Sequence, residues 1–132
     1  MGRERIIGLL WPDHRTDAAR HLLSESLYVL RKELGEDAFV SAGDEVGLNP
    51  AVVLSDVAEF ERAMDEGRLE DGTRLYRGPF MDGFFVSGAA EFERWAETER
   101  DRLARAFTRA LECLAEEADA ARRAQDAAGW WR

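Results

Sequence analysis

Residues 16–34 read Thr-Asp-Ala-Ala-Arg-His-Leu-Leu-Ser-Glu-Ser-Leu-Tyr-Val-Leu-Arg-Lys-Glu-Leu. Ala19, Leu22, Leu23, Leu27, Leu30 and Leu34 recur at three- and four-residue spacing, which places them along one face of an α-helix. Gly35 follows at the position where a helix commonly stops. The other face carries Arg20, His21, Ser24, Glu25, Tyr28, Arg31 and Lys32. Upstream, Arg3 to Leu10 reads as a short helix closed by Trp11-Pro12-Asp13, because proline disfavours helical geometry in the residue before it. Downstream, Ala38-Phe39-Val40-Ser41-Ala42 and Glu45-Val46-Gly47-Leu48-Asn49 are strand-like runs. They are joined by Gly43-Asp44, a pair suited to a tight hairpin turn with positive φ. Pro50 ends the hairpin. Helix, tight turn, longer helix and hairpin is the order of the second half of a winged helix-turn-helix, in which the longer helix enters the major groove. The same order occurs in many small α+β domains.

The rest of the chain reads as helical. Ser55 or Asp56 caps a helix with Val57, Phe60 and Met64 on one side, closed by Gly67. Leu69 to Tyr76 forms a shorter helix stopped by Gly78-Pro79. The aromatic-rich segment from Gly78 to Phe85 has too many turn residues for a helix and is expected to be a loop pinned into the core. From about Ala89 a long helix carries Phe92, Trp95, Ala96, Leu103, Ala106, Phe107, Ala110, Leu111, Leu114 and Ala118 as its apolar stripe. A last helix is expected from roughly Asp119 to Trp131, with its terminal tryptophans either packed back onto the long helix or marking a cut in a longer protein.

Composition narrows the class. The chain has 132 residues, 45% apolar and 34% charged, which fits a globular protein of one domain or two small ones sharing a core. No apolar run approaches the ~20 residues that span a bilayer, and the start lacks a secretion signal, so a cytoplasmic location with no membrane partner is expected. The lone Cys113 forms no internal disulfide and reads as a packing residue. His14 and His21 have no ligand-spaced partners and read as surface residues. The glycines at 78, 83 and 88 match neither a P-loop nor a dinucleotide fingerprint. Glu97, Glu99, Glu116 and Glu117 lie among arginines and read as exposed ion-pair positions. No catalytic residues, metal ligands or cofactor are expected, and the chain is not read as an enzyme.

Particular residues add a resemblance. Leu9-Leu10-Trp11-Pro12-Asp13, Ala18-Ala19-Arg20 and the run from Leu27 to Gly35 resemble the turn and recognition helix of bacterial transcriptional activator domain proteins, which include the SARP regulators. Asp56-Val57-Ala58-Glu59-Phe60-Glu61, Leu75-Tyr76-Arg77-Gly78-Pro79-Phe80 and the helix from Trp95 to Leu114 resemble the activator domain of that family. The resemblance covers nearly the whole chain. It implies a mainly α fold with a small β-hairpin: a partial winged helix-turn-helix over residues 1–50, then a helical bundle similar to tetratricopeptide (TPR) repeats over 51–132. It also implies transcriptional regulation through promoter DNA and through partners such as RNA polymerase. Two departures stand out. The family's β-meander and first helix precede the Leu-Trp-Pro motif, so the chain reads as N-terminally truncated. The wing also carries Asp44-Glu45 where many members have a Gly-Tyr pair, and these acids oppose phosphate.

The candidate DNA-binding residues are Arg20, His21, Ser24, Tyr28, Arg31 and Lys32, since arginine forks onto guanine and lysine neutralises phosphate. The competing reading is a solvated face, which Glu25 in its midst supports. The net charge of −9 limits any DNA contact to a local patch. It also favours an alternative, a TPR-like interaction or oligomerisation module without DNA binding. Without the meander, the inner face bearing Leu22, Leu27 and Leu30 is expected to be left open and to drive homo-oligomer formation.

Overall fold

The computed structural model describes residues 1–130. The chain is mainly helical, with one small antiparallel hairpin. Helix α1 spans Arg3–Leu10, and Trp11 caps it by donating its N–H to the Ile7 carbonyl at 2.9 Å. Helix α2 spans Thr16–Leu34. Asp17 in its first turn and Arg31 and Lys32 in its last complement the helix dipole. Gly35 ends it at φ +108°, ψ +151°, a conformation that side chains with a Cβ rarely adopt. A single 3-10 turn, Glu36–Ala38, leads into β1 (Phe39–Ala42), which pairs with β2 (Glu45–Leu48) from Ala42↔Glu45 to Phe39↔Leu48. Of the two turn residues only Gly43 takes positive φ, at +59°. A glycine at the first central position with ordinary φ at the second suits a two-residue hairpin. The amino-terminal residues pair alongside β2, on the edge that β1 leaves free. The Met1 ammonium donates to the Val46 carbonyl, the Val46 N–H donates to the Met1 carbonyl, and Gly2 bridges Glu45.

Helix α3 (Asp56–Asp65) begins with Asp56 accepting the Val57 N–H on Oδ1 at 2.8 Å. It ends in a Schellman closure: Gly67 sits at φ +73° and the Arg68 N–H reaches back to the Ala63 carbonyl at 2.8 Å. Helix α4 (Leu69–Leu75) packs against α3. Their close approach uses the buried Gly72, where a methyl group would overlap the end of Met64 and lie 3.3 Å from Ala63 Cβ. Gly72→Ala should therefore stay within about 1 kcal/mol of the parent in urea unfolding, because the helix-propensity gain of about 1 kcal/mol offsets moving a flexible Met64. Gly72→Val should cost about 1–3 kcal/mol. Equal stabilities for the two variants would refute this account.

Helix α5 runs unbroken over Ala90–Trp130. The separate last helix expected from Asp119 does not exist, because neither glycine nor proline interrupts the sequence near residue 118. Trp130 is 89% exposed and does not pack back, while the Trp131 end of that expected helix lies outside the described residues. Cys113 is exposed rather than packed, about 80° around the helix from the Leu103–Ala110–Leu114 line at 100° per residue.

Contacts divide the chain into two units. The first joins Met1–Ser55 with Gly83–Glu99, and the second joins Asp56–Asp82 with the part of α5 from Arg100 on. In the first, Ile7, Ala19, Leu23, Leu27 and Val46 form the core, with Ile6, Trp11 and Phe39 against it. Phe92, beside Trp95, is also buried in this unit. In the second, Phe60, Ala63, Leu103 and Ala110 are buried, Tyr76 stacks on Phe107 at 4.3 Å and Phe60 lies 6.0 Å from Tyr76. The segment from Gly78 to Phe85 is a loop, as expected, but only part of it is pinned. Phe80 and Met81 are half-buried, whereas Phe84 and Phe85 are 50% and 70% exposed.

Candidate nucleic-acid interface

The three buried residues of α2, Ala19, Leu23 and Leu27, occupy its first three turns. Leu30 and Leu34, expected on the same covered stripe, are 42% and 48% exposed. Length explains the difference. At 1.5 Å per residue, α1 is about 12 Å long and α2 about 28 Å, so α1 covers only the first part of its longer neighbour. Leu27 is buried and Leu22 half-buried, so the open inner face expected for Leu22, Leu27 and Leu30 is confined to its carboxy-terminal end.

The six candidate residues fall within an arc of about 120° on α2, taking 100° per residue. Arg20, His21, Ser24, Tyr28 and Lys32 are exposed. Arg31 is half-buried because it lies one turn beyond Leu27 and close to its azimuth. Its guanidinium carbon sits 5.9 Å from the centre of the Phe39 ring on β1. Lys32 Nζ lies 4.7 Å from the centre of the Tyr28 ring, a cation–π contact that holds the ammonium on the outward face.

Two of the six have acidic partners. Arg20 donates from Nε and Nη2 to one oxygen of Glu4 on α1, at 2.9 and 2.7 Å. That hydrogen bond, with the Glu4 charge, raises the Arg20 pKa above its ordinary value. His21 Nε2 lies 3.2 Å from Glu25 one turn along. Both pairs are solvent-exposed, and such pairs are weak and screened by salt. An incoming phosphate therefore has to displace a carboxylate toward the amino-terminal end of the helix, while Ser24, Tyr28, Arg31 and Lys32 lie toward its carboxy-terminal end. The hairpin turn adds exposed Asp44 and Glu45, with the Asp44 carbonyl accepting the Arg3 N–H at 2.9 Å.

The second unit has a feature for which sequence spacing gave no sign. A cleft of about 450 Å³ opens between the start of α3, the end of α4 and the loop at residues 77–82. Phe60, Tyr76, Phe80 and Leu103 supply apolar lining, and Asp56, Arg77 and Asp82 stand exposed at its edge. Arg100 on α5 fixes the loop wall by donating to the carbonyls of Phe80 at 2.7 Å and Met81 at 3.2 Å. Met81 is the only non-glycine residue with positive φ among those described, at +50°. These aromatics read as plain core in the sequence, and the Gly78-Pro79 turn before Phe80 was the one local cue to a shaped wall.

Among the described residues no group of three His, Cys, Asp or Glu side chains is placed to hold a metal ion, and no helix is long and apolar enough to cross a membrane. No family model, curated protein or solved structure matches the chain.

Proposed function

We propose that this chain acts in transcriptional regulation. In this reading α1, α2 and the hairpin are the second half of a winged helix-turn-helix that reads promoter DNA. The helices from Asp56 on form a TPR-like module that engages a partner protein such as RNA polymerase. The observation that carries the reading is the outward arc of α2, where Ser24, Tyr28, Arg31 and Lys32 present hydrogen-bond donors and positive charge beside a two-stranded hairpin. A helix so furnished suits a major groove about 12 Å wide. The exposed Leu30 and Leu34 favour a self-associated form, and two copies of α2 about 34 Å apart would address successive major grooves.

The test begins with sedimentation to establish the oligomeric state, followed by DNA binding across a salt series. Arg31→Ala/Lys32→Ala is expected to weaken binding about tenfold or more at low salt and to flatten the salt dependence by about one phosphate contact. Unchanged affinity and slope in that double variant would remove α2 as the reader.

A second reading, a protein-binding module without DNA contact, is favoured by the Arg20–Glu4 and His21–Glu25 pairs and by the acidic hairpin turn. Absence of DNA binding by the parent chain even at low salt would decide for it.

A further inference from the structure

We infer that the cleft of the second unit is a docking site for a protein segment that carries an apolar anchor residue beside a lysine or arginine. The inference rests on the reading that this helical unit engages a partner protein. Size is the first argument, since about 450 Å³ lies within the range of specific binding sites, and aromatic lining with a few polar groups is their usual make-up. Shape is the second. The floor is ordered by the Tyr76–Phe107 stack and by Phe60, and the loop wall is held by the two Arg100 hydrogen bonds. A preformed cleft loses less conformational entropy on binding than one that must be assembled. Met81, in that wall, contributes an unbranched, polarisable side chain able to adapt to an incoming apolar group.

Charge selects the occupant. Residues 56–82 carry eight carboxylates against four guanidiniums, a net of 4 − 8 = −4. Arg62, Arg68 and Arg74 are already paired with acids of the same segment, Arg68 with three of them. At the cleft itself Asp56 and Asp82 outnumber Arg77 among the lining residues. An apolar side chain fills the floor, and the adjacent cationic group meets the rim carboxylates. An acidic segment would meet the same carboxylates with like charge.

Three dodecapeptides test this with the whole chain: one alternating leucine and lysine, one with glutamate in place of lysine, and one with serine in place of leucine. The first is expected to bind and to shift the resonances of Val57, Phe60 and Phe80, and the other two are expected to bind at least about tenfold more weakly. Asp56→Asn/Asp82→Asn should weaken the first about fivefold or more, as two rim charges would. Asp119→Asn/Asp126→Asn, an equal charge change on the exposed end of α5, should leave binding unchanged. Equal weakening by both double variants, or equal binding of all three peptides, would overturn the cleft as a site. Binding that shifts resonances elsewhere, or no binding by any peptide, would overturn the cleft while leaving the partner-protein reading in place.

Discussion

Phe60→Ala is expected to lower the stability of the second unit by about 3–5 kcal/mol. Phe60 is 4% exposed on α3 and lies 6.0 Å from the Tyr76 ring. Removing its ring deletes the transfer free energy of a buried aromatic and leaves a cavity that α3 is poorly placed to fill. Its closure onto α4 through Gly67 and Gly72 already brings the two backbones close. Phe85→Ala provides the contrast: at 70% exposure it leaves little apolar area to lose and should cost less than about 1 kcal/mol. Urea unfolding reads both values. Amide exchange in α3 and α4 should quicken in the Phe60 variant and stay unchanged in the Phe85 variant. Equal stabilities for the two would mean that Phe60 is not a core residue.

Leu23→Ala is expected to cost the first unit about 2–5 kcal/mol. Leu23 lies in the cluster of Ile7, Ala19, Leu27 and Val46, where α1, α2 and β2 meet. Leu30→Ala, on the same helix two turns later, should cost less than about 1 kcal/mol, because α1 is too short to cover it and the side chain is 42% exposed. Comparable losses at the two positions would show that the carboxy-terminal half of α2 is covered in solution. That is the result expected if copies of the chain associate through it, and repeating the measurement at several protein concentrations would reveal such association.

The short-range features of the fold were legible in the residues because each depends on neighbours within one or two turns. Helices α1 and α2 follow from the Trp11-Pro12 stop, the leucine spacing and Gly35, and the hairpin follows from Gly43-Asp44 between two strand-like runs. The outward positions of Arg20, His21, Ser24, Tyr28 and Lys32 follow from helical periodicity alone. Tertiary structure decided what depends on which surfaces meet. It decided that Leu30 and Leu34 stay open, since periodicity defines a face but not the length of the element that covers it. Arg31 leans on Phe39, and Arg20 is held by Glu4 sixteen residues away. Residues 83–99 join the first unit although they follow the second unit's α4 in the chain. The loop wall of the cleft beside Phe60, Tyr76 and Phe80 is tied down by Arg100, about twenty residues beyond the loop, which donates to two of its carbonyls. Local spacing carries no information about hydrogen bonds formed at that separation, and only the folded chain brings the donor to its acceptors.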